Sequence, residues 1–127
     1  MKNSKFYICA HCKNLVEMVH DAGVKPFGCG QKMDELIPNT VEASGEKHLP
    51  AVTGADGVVE VHVGSVDHPM EDVHFIQWVQ LQTETGSQRK YLTPGQPPHI
   101  RFELGDDKAI AVYAYCNLHG LWKTELN

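Results

Sequence analysis

Three short stretches of this 127-residue chain carry imidazole and thiol donors at spacings that could close a metal site. Glu46-Lys47-His48 runs into Leu49-Pro50. His68-Pro69-Met70-Glu71-Asp72-Val73-His74 places two histidines on one loop, with a proline to fix the chain after the first. Cys116-Asn117-Leu118-His119-Gly120 is a compact chelate, in which a thiolate leaves a strand end and an imidazole returns from the turn. Any one histidine is more often a surface or core residue than a ligand, so the argument rests on the grouping. Structural zinc prefers four tetrahedral ligands and usually more sulfur. Four imidazoles and one thiolate instead suit five-coordinate iron with its sixth position open. One thiolate on a ferrous ion leaves a formal charge of about +1, and a thiolate opposite the open position pushes electron density onto whatever binds there.

These loops need a scaffold, and the pattern after residue 57 is all β. Val58–Val63, Phe75–Thr83 and His99–Leu104 alternate apolar and polar residues, and Ala109–Tyr115 reads as a more buried strand. Arg89–Leu92 and Leu121–Glu125 complete a set of short strands separated by Gly and Pro turns, which favours an antiparallel sandwich. No stretch keeps a helical period. Residues 37–57, with Pro38, Ser44, Gly45, Pro50, Gly54 and Gly57, read as linker and loop. Before them lies a segment, residues 1–36, holding Cys9, Cys12 and Cys29, with short strands at Phe6–Ile8 and Leu15–Val19.

Composition bounds the partners. A content of 42% hydrophobic residues supports one real core with a small appendage. A net charge of −5 with no basic stripe argues against nucleic acid, and an anionic substrate would need local positive charge at its site. No apolar run approaches the roughly 20 residues that span a bilayer, and no signal segment follows the first lysines, so the sequence predicts a cytosolic protein without a membrane partner. Four cysteines in a reducing compartment point to metal or redox work rather than disulfides.

In order and spacing, Glu46-Lys47-His48, Gly64-Ser65-Val66-x-His68-Pro69-Met70, His74 and Cys116-Asn117-Leu118-His119-Gly120-x-Trp122 resemble superoxide reductase of the desulfoferrodoxin and neelaredoxin family over nearly the whole chain. The resemblance implies an immunoglobulin-like β-sandwich, residues 37–127, holding one mononuclear iron. It implies that His48, His68, His74 and His119 are equatorial ligands and that Cys116 is axial. It implies one-electron reduction of superoxide to hydrogen peroxide, re-reduction by rubredoxin or a similar small donor, and a homodimer. Lys47, next to a ligand, is then expected to draw superoxide in and stabilise the developing peroxide, and Glu46 to reach the sixth position once product leaves. Trp122 is expected to be a plain core residue, and His11, His20, His62 and His99 to be structural or surface residues. Three other readings share these donors: an electron carrier, a structural zinc protein and a superoxide dismutase.

Residues 1–36 look like the desulforedoxin-type domain of desulfoferrodoxin, in which a Cys-x-x-Cys and an adjacent Cys-Cys pair hold a second iron. Here Cys9-Ala10-His11-Cys12 supplies the first pair, but Gly28 precedes Cys29 where a cysteine is expected, and Lys13 replaces a glycine. A fourth ligand could come from water, His11 or another chain. Three thiolates make a poor tetrahedral iron site, so the sequence predicts one iron per chain and a small domain with free thiols.

Overall fold

The computed structural model describes residues 4–126. It divides the chain into two compact units, the first ending at Ile37 and the second beginning at Pro38.

In the first unit, β1 (Phe6–Ile8) pairs antiparallel with β2 (Leu15–Glu17) on one side. Two-residue strands follow: β3 (Phe27–Gly28), β4 (Gln31–Lys32) and β5 (Asp34–Glu35). β5 pairs with the other side of β1, and β3 pairs with β4 as a separate hairpin. Tyr7, Cys9 and Met33 are buried together, with Val16 and Met18 partly buried against them. Lys13 adopts φ +67°, which explains why a glycine would serve at that position.

The second unit opens with a single helical turn, α1 (Gly45–His48), too short to leave a period in the sequence. Seven strands follow: β6 (Pro50–Ala55), β7 (Val58–Val63), β8 (Ile76–Thr83), β9 (Ser87–Tyr91), β10 (His99–Glu103), β11 (Ala109–Cys116) and β12 (Gly120–Glu125). They form two antiparallel sheets, ordered β10-β7-β6 and β12-β11-β8-β9. Two facing sheets of three and four strands are the immunoglobulin-like arrangement. Val59, Val61 and Val63 of β7 point inward at a period of two and meet Val79 and Leu81 of β8, Phe102 of β10 and Val112 of β11.

Strand β6 corrects the linker reading of residues 37–57. Pro50 and Gly54 read as breakers, but β6 is an edge strand, where a missing N–H costs no central ladder bond. A Cβ at Gly54 would lie 2.7 Å from the carbonyl oxygen of Val58, so glycine permits the tight β6–β7 hairpin. Among the described residues no helix is long and apolar enough to cross a membrane.

Candidate metal centre

One end of the sandwich collects the donors. Cys116 is the last residue of β11 and is wholly buried in the core between the sheets. The tight turn into β12, where Cys116 pairs with Gly120, brings His119 back over the sulfur. The His119 N–H donates to Cys116 Sγ at 3.4 Å, and His119 Nδ1 lies 3.8 Å from the same sulfur. Asn117, inside that turn, holds the loop carrying His74. Its Oδ1 accepts from the Phe75 N–H (2.9 Å), and its Nδ2 donates to the Val73 carbonyl (3.0 Å). His74 is further pinned by paired backbone hydrogen bonds with Glu71. His68 is placed by its N–H on the Val63 carbonyl at the end of β7, and His48 by the turn of α1.

The four imidazoles stand at the corners of a square. Neighbouring rings meet edge to face in the order His48, His68, His74, His119, with centroids 4.6, 4.6, 5.1 and 4.9 Å apart around the ring. His48 and His74, across the square, are 6.4 Å apart. Ligand atoms of His48, His68, His74 and Cys116 all lie within 4.8 Å of one another, and His119 Nδ1 joins them 3.1 Å from His48 Nε2.

Backbone carbonyls decide which nitrogens face inward. His48 Nδ1 lies 2.7 Å from the Ser44 carbonyl and His68 Nδ1 lies 2.7 Å from the Pro69 carbonyl. A carbonyl only accepts, so both Nδ1 atoms carry the proton and both Nε2 atoms carry a lone pair. Those two Nε2 atoms are 3.1 Å apart. Two lone pairs at that distance repel unless a cation sits between them. A proton is a poor candidate, because burial lowers the proton affinity of His48 and His74 and takes His68 down to about 4. His74 Nε2 is buried without a hydrogen-bond partner. The donor set therefore fits a metal ion, and the outer carbonyls fix ring orientation in the way that supports bound metals.

Neither Ser44 nor Pro69 was legible as a contributor, because a main-chain carbonyl leaves no mark in the residue type. Trp122 is more than a plain core residue. Its ring stacks on His48 at 4.8 Å and 26°, and its indole N–H donates to the His119 carbonyl at 3.1 Å. Burial raises the Cys116 thiol, while the His119 and Leu118 N–H groups pull it back down. Glu46 and Lys47 are both exposed on α1. The Lys47 ammonium acts electrostatically on both His48 and His74, lowering their proton affinity. His11, His20 and His99 are exposed; the rings of His62 and His99, cross-strand neighbours, lie 4.1 Å apart and tilted by 39°, and His99 Nε2 meets Asp67 at 3.0 Å. In the first unit, Cys9 is buried, Cys12 and Cys29 are exposed, and their sulfurs lie within 4.8 Å of one another.

The sequence profile described as Desulfoferrodoxin matches residues 40–125. This chain belongs to the desulfoferrodoxin family. A desulfoferrodoxin of Syntrophotalea carbinolica is 43% identical over 94% of each chain. Among solved structures, the superoxide reductase from Treponema pallidum superposes with a TM-score of 0.81 at 35% identity, covering 98% of this chain and all of that one. The superoxide reductase (1Fe-SOR) from Giardia intestinalis matches with a TM-score of 0.55 at 27% identity, over 65% of this chain and 98% of its own. Residues 40–125, which match the profile, include all five converging donors.

Buried neutral imidazoles make a pH prediction for the metal-free protein. The folded-state proton affinity of His68 sits at about 4, below the ordinary histidine value of 6.5, so the unfolded chain binds more protons between these values. Stability then rises with pH across that window. Metal-free protein is expected to lose melting temperature steadily as pH falls from 6.5 to about 4. A flat melting temperature over this range would show that the histidines are not buried as neutral groups.

Proposed function

We propose that this chain is a superoxide reductase, converting superoxide to hydrogen peroxide at a single iron held by His48, His68, His74, His119 and Cys116, with electrons returned by a small rubredoxin-like donor. The observation that carries this reading is the square of four imidazoles beside one buried thiol, two of them with inward lone pairs set by backbone carbonyls. Iron bound there supplies the electron, cycling between its +2 and +3 states. Superoxide, one electron and two protons then balance to hydrogen peroxide.

The chain's own residues supply the rest. The molecule carries a net charge of −5, so superoxide needs local attraction, and the Lys47 ammonium acts on the square from its exposed turn. The same ammonium stabilises negative charge developing on the departing peroxide and orders water that delivers protons. Glu46, one residue earlier, would offer its carboxylate to the bound iron once product has left. Leu49, Val73 and Leu118 are exposed, and each is the sequence neighbour of a ligand histidine, which offers a small electron donor an apolar contact beside the metal. A homodimer accompanies this reading.

Pulsed superoxide on the reduced protein tests it. One peroxide per superoxide, with no oxygen, is the expected yield. Release of half an oxygen per superoxide would make the protein a dismutase, and absence of reaction would leave an electron carrier. Lys47→Ala is expected to slow the bimolecular step by roughly tenfold and to flatten its dependence on ionic strength. An unchanged rate and salt slope would remove Lys47 from the mechanism.

A further inference from the structure

The three sulfurs of Cys9, Cys12 and Cys29 lie within 4.8 Å of one another in a unit with very little core. Fewer than about 40 residues seldom fold without a disulfide, a metal or a second chain. Each of these cysteines is a free thiol, so no disulfide closes the unit. The site also departs from a four-thiolate iron centre, because residue 28 is a glycine.

We propose that Cys9, Cys12 and Cys29 hold one zinc ion as a three-thiolate site, with an exchangeable external ligand such as water in the fourth position. Zinc has no d-electron preference in geometry and accepts three protein ligands with one position open. A zinc–sulfur bond of about 2.3 Å requires sulfurs about 3.8 Å apart, so small rotations of the exposed Cys12 and Cys29 side chains close the site. Binding Zn²⁺ converts up to three thiols to thiolates and releases their protons to solvent.

The local backbone is already arranged for a thiolate. The Cys12 N–H points at the buried Cys9 sulfur at 3.5 Å. The same device recurs at Cys116, where the N–H three residues on donates to a buried sulfur at 3.4 Å. Donated N–H groups favour a charged sulfur over a neutral one. In the second turn Cys29 takes φ +50° and Gly30 φ +78°, and Lys13 takes φ +67° in the first. Left-handed conformations in non-glycine residues are costly and persist where surrounding contacts hold them, which a shared metal would do. Gly28 marks the vacant corner: a Cβ built there would lie 3.2 Å from Cys9 Sγ, so the residue overlooks the sulfurs and offers no donor.

The experiment uses the full-length, iron-loaded, reduced protein, titrated with zinc against a chromophoric chelator. One further zinc per chain is expected, with the alkylation of Cys12 and Cys29 slowed in proportion. Cys29→Ser, at an exposed position, is expected to weaken zinc by at least roughly a hundredfold, and Gly28→Cys to tighten it by at least roughly tenfold. The absorption of the iron centre reports that each variant is folded and loaded. Zinc binding equal in wild type and Cys29→Ser would overturn the proposal, as would zinc uptake without protection of the thiols, or a second iron in the protein as purified.

Discussion

Gly64→Ala is expected to cost about 2–4 kcal/mol in stability and to weaken iron binding by roughly a hundredfold, although residue 64 is neither a ligand nor a core side chain. A Cβ at this position would lie 2.6 Å from the Glu46 carbonyl oxygen, 2.8 Å from the Leu49 carbonyl oxygen and 3.0 Å from the Lys47 carbonyl carbon. All three are backbone atoms of α1 and the residue after it, so no side chain can swing away to relieve the contact. The Glu46 carbonyl also accepts the Val66 N–H at 2.9 Å and the Ser65 hydroxyl at 3.2 Å. Moving α1 outward breaks these bonds and carries His48, Lys47 and Glu46 off the site together. A displacement of about 1 Å is enough to spoil ligand geometry. Gly86→Ala serves as the control, since nothing lies within 4 Å of a Cβ there and its φ is not left-handed. It is expected to change stability by less than about 0.5 kcal/mol. Thermal unfolding and iron content of the two variants read the difference; equal values would mean that α1 is not held by Gly64.

That dependence on Gly64 marks a boundary in what the sequence makes legible. The strands β7 and β10 alternate clearly, because one face of each is buried and the side-chain period is two, whereas β8 is buried along most of its length although its sequence alternates. The donor clusters are legible for a related reason: histidine and cysteine at strand ends are chemically distinctive. Strand β6 was hidden, since Pro50 and Gly54 mimic a linker while an edge strand tolerates both. The order of the rings around the square was hidden too, because it follows from how three separate segments meet. So were the Ser44 and Pro69 carbonyls that set the tautomers, and the stacking of Trp122 on His48. These are relations between distant or main-chain atoms, and no residue type encodes them.

Cys116 offers the largest single effect, and comparing two substitutions separates its two roles. The residue is fully buried, belongs to the sandwich core and presents its sulfur to His119. As a thiolate it is the only anionic donor among the five. Removing it leaves four neutral imidazoles, so both Cys116→Ala and Cys116→Ser are expected to lose iron affinity by at least roughly a hundredfold, and with it the proposed superoxide reduction. In the metal-free protein the two should part company. Serine buries a hydroxyl among Val63, Ile76 and Ala114, at a cost of about 1–3 kcal/mol that its contact with the His119 N–H only partly offsets. Alanine removes one sulfur atom and keeps the site apolar, at a cost of about 1 kcal/mol. Metal-free Cys116→Ala should therefore melt above metal-free Cys116→Ser, while neither holds iron. If instead the serine variant retained iron and full activity, the thiolate would be dispensable, and the centre would be an all-imidazole site with Cys116 serving the core alone.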